Sequence, residues 1–325
     1  MTTKNNKAVL GILLVVFLSF VLLMIFASYT IKNLSGKGEG INFSDLKEGK
    51  SIAVVEVNGV IMESKKIIEL LERAYEDKET KAIIMRINSP GGAVAPTQEI
   101  YEEMRRIDQE YEDSEGEKGK PIYASFGSVA ASGGYYLGAG ARRIYSNAGT
   151  ITGSIGVIMQ NLDLSKLYEW AMVKQVNIKA GRYKDMGQPN RGLTQEERDI
   201  LNNMISGVHN QFIRDIERTR KGKIKGDLRE LAQGQIFSGE QARDLGLVDE
   251  VASLWQAGRK IHEELKIEKE FGLKYIEKKK KKGLWAIMDN IDEASTNLNL
   301  FSQFLGKMTG KVEGHMDNSP ILLYQ

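Results

Sequence analysis

Three short aliphatic runs, Ser51–Val57, Lys81–Ile87 and Pro121–Phe126, constrain this chain more than anything else in it. A strand with one wet face alternates apolar and polar residues. These runs are almost continuously apolar, the pattern of strands covered on both faces. Between the first two, Ser64–Tyr75 carries apolar residues at 67, 68, 71 and 75, which is helical spacing. Ser89-Pro90-Gly91-Gly92 ends the second run, and a helix is expected after it through about Arg106. Gln109–Lys120 reads as a charged loop without core residues. Strand and helix in alternation define an α/β domain. Downstream, the sequence predicts a short helix of small residues over 133–141, strands over 142–146 and 153–158, and a helix over 164–171. A strand over 173–179, a long helix over 193–220 and two short helices within 227–250 complete the pattern.

Composition removes several classes of function. The net charge is +2 with 27% charged residues, which gives no electrostatic footprint for nucleic acid. With no cysteine there is no disulfide, thiolate metal site or cysteine nucleophile. His-Glu-x-x-His and Walker patterns are absent, so neither a metal nor another cofactor is expected. Gly36-x-Gly38-x-Gly40 has no strand before it and is not read as a nucleotide loop.

From Ala8 to Ile31 the chain carries no charge over 24 residues. As a helix this run is about 36 Å long, enough to cross a hydrocarbon core of roughly 30 Å. It exceeds the ~7–15 residue core of a secretory signal, so an uncleaved transmembrane anchor is expected, with Phe26-Ala27-Ser28 keeping cleavage open. The expected organisation is a short cytoplasmic N-terminus (1–7), the anchor (8–31), a linker (32–50), one catalytic domain (51–266) and a C-terminal extension (267–325). Lysines flank the span on both sides, so charge bias sets the orientation weakly. A short N-terminus before one span favours a single-pass protein of the cell membrane with its large domain on the extracytoplasmic side. The extension holds five lysines, Lys278–Lys282, and then an apolar stripe from Leu284 to Met308. Such a helix lies on anionic lipid or packs on protein; acidic residues Asp289, Asp292 and Glu293 favour packing.

Ser132 stands where the third strand gives way to the helix of small residues, in Ala130-Ala131-Ser132-Gly133-Gly134. A helix N-terminus favours a developing anion, although a serine there also suits a plain N-cap. Ser128 shares the turn, but the glycines after Ser132 leave more room. A serine nucleophile needs a base. No histidine precedes His209, which falls inside the expected long helix, and His262 and His315 come late. A Ser-His-Asp triad is therefore poorly supported. Lysine serves as a base when its surroundings lower its pKa. Lys184, in Gly181-Arg182-Tyr183-Lys184-Asp185-Met186-Gly187, is the best placed by context; an ordinary surface lysine is the alternative. The Gly91-Gly92 turn allows close backbone approach, and its amides could cradle an oxyanion.

Five motifs in order resemble the signal peptide peptidases of the SppA type, which are serine–lysine peptidases sharing the fold of Clp protease and the crotonases. They are Asn88-Ser89-Pro90-Gly91-Gly92, Ser128–Tyr136, Gly149–Val157, Gly181–Asp185, and Phe237–Ala242 leading to Gly246-Leu247-Val248-Asp249. The resemblance runs from about Ile52 to Val251. It implies a fold of repeated β-β-α units in the short, single-domain form of the family. Ser132 matches the nucleophile, Lys184 the general base, and Ser154 a serine that orients the lysine. Gly133 and either Gly91 or Gly92 match the oxyanion hole. Short members resemble rings in which neighbouring subunits build each active site. The implied partners are apolar signal peptides or other membrane-derived peptides, membrane lipid, and further copies of the chain. Ala124, Val129, Ala130 and Ala131 suggest a cleft lined without charge.

Overall fold

The computed structural model describes residues 51–277 and the two-residue strand Leu323–Tyr324. The expected anchor, the linker and the amphipathic stripe lie outside the described residues. Among the described residues no helix is long and apolar enough to cross a membrane.

The three aliphatic runs form the centre of an eight-stranded sheet. They are β1 (Ile52–Asn58), β2 (Ala82–Ser89) and β4 (Ile122–Ala131), with β3 (Gly92–Ala93) a short offshoot after β2. β1, β2 and β4 are parallel neighbours, in register Ile52↔Ala82 and Ile83↔Ile122. Strand β9 (Leu273–Tyr275) extends the sheet beside β1.

At β4 the sheet forks. Its first half pairs with β5 (Ile144–Ser146), which carries β8 (Glu250–Val251). Its second half pairs with β6 (Ile151–Gly153), followed by antiparallel β7 (Ile236–Ser238). The sheet is thus parallel except at its β6–β7 edge.

Alternate residues of the central strands serve two cores, as a doubly covered sheet requires. Ala53, Val55, Ile83, Met85, Ala124 and Phe126 face one layer. That layer contains α1 (Lys65–Glu76), α2 (Val94–Asp113), α3 (Gly133–Ala139) and α5 (Gln195–Arg220). Ile52, Val54, Ile84 and Tyr123 face α8 (Leu254–Glu264) on the other side. Pro96 sits in the first turn of α2, where a missing N–H costs nothing.

The short elements are α4 (Ser165–Trp170), α6 (Leu228–Leu231) and α7 (Gly239–Asp244). Helix α2 runs past its expected end because Ile107 and Asp108 are buried, taking in part of the expected 109–120 loop. Strand β4 is longer than the expected run and continues to Ala131. The strand expected over 173–179 is absent: that segment has no regular structure, is exposed and pairs with no strand among the described residues. The result is a mixed α/β fold with a mainly parallel sheet, consistent with the Clp-protease-like architecture.

Candidate active site

The turn that carries Ser132 is made by the end of β4. Ser132 has φ 53 and ψ −116, a left-handed conformation that costs an L-residue about 1–3 kcal/mol. Two bonds hold it. Its N–H donates to Gly153 O at 2.8 Å, and its carbonyl accepts the Tyr136 N–H at 2.9 Å. The Ser132 side chain is fully buried, and its hydroxyl has no hydrogen-bond partner. A buried hydroxyl without a partner is costly, so a strained, unpaired serine marks a functional position rather than a fold-stabilising one.

The second turn comes from β2. The Ser89 hydroxyl accepts the Gly91 N–H at 3.1 Å and so closes the Ser-Pro-Gly-Gly turn. Gly91 O accepts from Ile61 N–H at 2.9 Å, and Ala93 N–H donates to Ile61 O at 2.7 Å. Along a strand, successive residues direct their amides to opposite edges. The Gly92 N–H therefore points away from Ile61, toward the edge of β3 on which Leu323–Tyr324 pairs. A side chain at Gly92 has no room, since a Cβ would lie 2.1 Å from Ile61 O. The two turns meet: a Cβ built on Gly133 would lie 3.4 Å from Gly92 N. Of the two glycines left open by the sequence, Gly91 has its amide bound within its own turn, and Gly92 directs its amide to the edge that pairs with Leu323–Tyr324.

Ser154 follows the residue that Ser132 bonds. It too has positive φ, 50°, and its N–H donates to Gln235 O at 2.8 Å. The structure thus brings Ser132, Gly133, Gly92 and the Gly153–Ser154 turn together.

Lys184 is not brought there. It lies in an arm, residues 159–192, and is exposed. No hydrogen bond joins it to the unpartnered Ser132 hydroxyl, and among the described residues its ammonium has no ion-pair partner. Its neighbour Asp185 is tied down. Lys179 and Arg191 hold the Asp185 carboxyl down to about 2. Arg191 also binds Glu197, at 2.6 Å, and joins the arm to the start of α5. Apolar side chains of the arm face solvent, with Trp170 81%, Met172 94% and Ile178 101% exposed.

Some sequence expectations take other roles. Ala124 and Ala130 are packed in the core, so they line no cleft; Val129 is half-buried. Ser238 and Gln241 form a reciprocal cap on α7. Asp249 is bonded to buried Arg220 and to the Ile144 N–H, and the Tyr135 hydroxyl donates to Leu247 O. His209 lies in α5, as expected. Among the described residues no cluster of ligands could hold a metal. The roles of Asn88 and Ser89 were not read from the sequence. The available signal was their position, since Asn and Ser just before a turn readily bond nearby backbone.

Comparison with known proteins places the chain in a family. The model of peptidase family S49 matches residues 114–268, and that of Clp protease matches residues 43–146. A Synechocystis protein provisionally named a protease is 38% identical over 205 residues, covering 63% of this chain and 70% of that protein. An Enterococcus faecium protein provisionally named signal peptide peptidase SppA is 33% identical over 222 residues, covering 63% and 62%. The chloroplastic serine protease SPPA of Arabidopsis thaliana is 31% identical over 217 residues, covering 65% of this chain and 31% of its own. The chain belongs to peptidase family S49, as an SppA-like serine-type peptidase.

Proposed function

We propose that this chain is a membrane-anchored serine endopeptidase that degrades remnant signal peptides, with Ser132 as nucleophile and Lys184 as general base. The observation that carries the reading is the strained Ser132 turn, with its unpartnered buried hydroxyl, set against the Gly92 turn. Neutral Lys184 accepts the Ser132 proton as Oγ bonds the scissile carbonyl carbon. The Gly92 and Gly133 amides hold the resulting oxyanion. Collapse breaks the C–N bond, and the leaving amine takes its proton from Lys184. Water, deprotonated by the same lysine, then hydrolyses the acyl ester and returns the proton to Ser132. Ser154 orients the lysine.

The substrate binds as an added strand on the edge of β3. That edge accepts an antiparallel backbone: Leu323–Tyr324 of this chain pairs there, with Tyr324 opposite Gly92 and Leu323 opposite Ala93. An apolar, extended peptide suits such a site. Lys184 reaches Ser132 from a neighbouring copy. The support is the exposed apolar arm, whose Trp170, Met172 and Ile178 find no cover among the described residues. The peptidase domain, residues 51–266, acts outside the cytoplasm, tethered to the membrane by residues 8–31.

The test uses full-length protein in detergent with an apolar peptide substrate. The parent should cleave it, and Ser132→Ala and Lys184→Ala should each be inactive while still folded. A protonated amine accepts no proton, so kcat/KM should rise with pH; a flat profile from about pH 6 to 9 would count against Lys184. Full activity in Lys184→Ala would remove the dyad. A parent that cleaves no peptide would leave a binding scaffold.

A further inference from the structure

The proposed reaction needs the Ser132 turn and the Gly92 turn in one fixed geometry, and one residue spans both strands that carry them. We infer that Asn88 is the positioning residue that sets the nucleophile turn against the oxyanion turn; this rests on the peptidase reading above.

The argument begins with register. β2 and β4 pair as Ile87↔Phe126 and then as Ser89↔Ala130. Between those pairs β2 has one residue, Asn88, and β4 has three, Gly127, Ser128 and Val129. The bulge adds two residues to β4. At ~3.3 Å per residue, Ser132 would otherwise stand about 7 Å away along the strand. A bulge also leaves backbone groups without ladder partners. Asn88 Oδ1 takes two of them, accepting the Ser128 N–H at 3.1 Å and the Val129 N–H at 3.2 Å.

The contact is close enough to specify its neighbours. A Cβ on Gly127 would lie 2.9 Å from both Cβ and Oδ1 of Asn88, so the side chain fits only against glycine. The bulge carbonyls are bound by other residues. Arg86 donates to Phe126 O at 2.6 Å, Thr150 to Gly127 O at 2.7 Å and Thr152 to Ala130 O at 2.6 Å. Asn88 alone among these holds amides, and it precedes Ser89, whose hydroxyl binds Gly91. A shift of Asn88 therefore moves both turns relative to each other.

Asn88→Ala and Asn88→Asp in the full-length protein separate positioning from folding. The aspartate keeps an acceptor oxygen for the two amides, while exchanging the amide NH2 for a second oxygen and adding a negative charge. Asn88→Ala should lower kcat on the apolar peptide about 10–100-fold with KM within about twofold, because a misplacement near 1 Å costs on that order. Asn88→Asp should recover most of the rate. Backbone amide exchange in the peptide covering 127–132 should quicken in Asn88→Ala and stay at the parent level in Asn88→Asp. Parent kcat in Asn88→Ala overturns the inference, as does equal loss in the two variants or a change confined to KM. A parent that cleaves no peptide sinks the peptidase reading instead. Amide exchange then decides alone, and equal exchange in parent and Asn88→Ala overturns the hold of Asn88 on the bulge.

Discussion

Ser132 is kept in place against its own conformational preference. Its φ of 53° is one that glycine adopts freely and an L-residue does not. The surrounding bonds, to Gly153 O and from Tyr136 N–H, over-determine the turn and hold the strain. Removing the hydroxyl and removing the strain are therefore separable. Ser132→Ala keeps the Cβ and the strain; Ser132→Gly loses both. Neither variant should cleave peptide, but Ser132→Gly should be the more stable of the two by about 1 kcal/mol in denaturant unfolding. Equal midpoints would mean that the turn is relaxed. The neighbouring Gly92 shows the opposite logic, since there the backbone of Ile61 leaves no space for any side chain.

At the scale of elements, β1, β2 and β4 were legible because buried parallel strands are continuous aliphatic runs, and α1 because its apolar residues recur at helical spacing. β3, β7 and β8 were not, for strands of two or three residues carry no periodicity; they are defined by pairing. The motif glycines and Ser132 could be placed at turns from sequence, whereas the bulge that aims Ser132 depends on the register of two distant strands. The 173–179 segment misled for a further reason. Val173, Val176 and Ile178 have strand-like composition, but they are exposed and have no strand to pair with among the described residues. If that arm packs on a second copy and delivers Lys184 to it, two inactive variants should complement. Mixing Ser132→Ala with Lys184→Ala, after dissociation and reassembly, should restore about a quarter of parental activity, the share of sites drawing an intact serine and an intact lysine from different chains. No recovery would place both residues within one subunit. Met172→Asp with Ile178→Asp should abolish assembly, read by sedimentation, and activity with it, while leaving the melting of the isolated subunit little changed.

The described domain depends on a buried charge far from Ser132 in sequence. Arg220 ends α5, and its side chain is wholly buried. It donates to Gly246 O at 2.7 Å and pairs with Asp249, which also accepts the Ile144 N–H at 2.7 Å and binds Lys223. This cluster ties the end of α5 to β5 and to the turn before β8, and so supports one branch of the forked sheet. Burial raises the Asp249 pKa, but Arg220, the Ile144 amide and Lys223 outweigh it and hold the carboxyl below its usual value. The sign follows from linkage. The folded pKa lies below the unfolded one, so the contribution is complete above about pH 4 and is lost as pH falls through the folded value. Asp249→Ala strands the Arg220 guanidinium and should cost about 3–5 kcal/mol at neutral pH, lowering the melting temperature by roughly 6–20 °C. The gap from the parent should narrow on acidification below about pH 4. Adding Arg220→Met to Asp249→Ala removes the stranded charge and should recover much of the loss, since the penalty belongs to the unpaired ion rather than to the missing attraction. A double variant no more stable than Asp249→Ala would assign the cost to the Ile144 and Lys223 bonds instead.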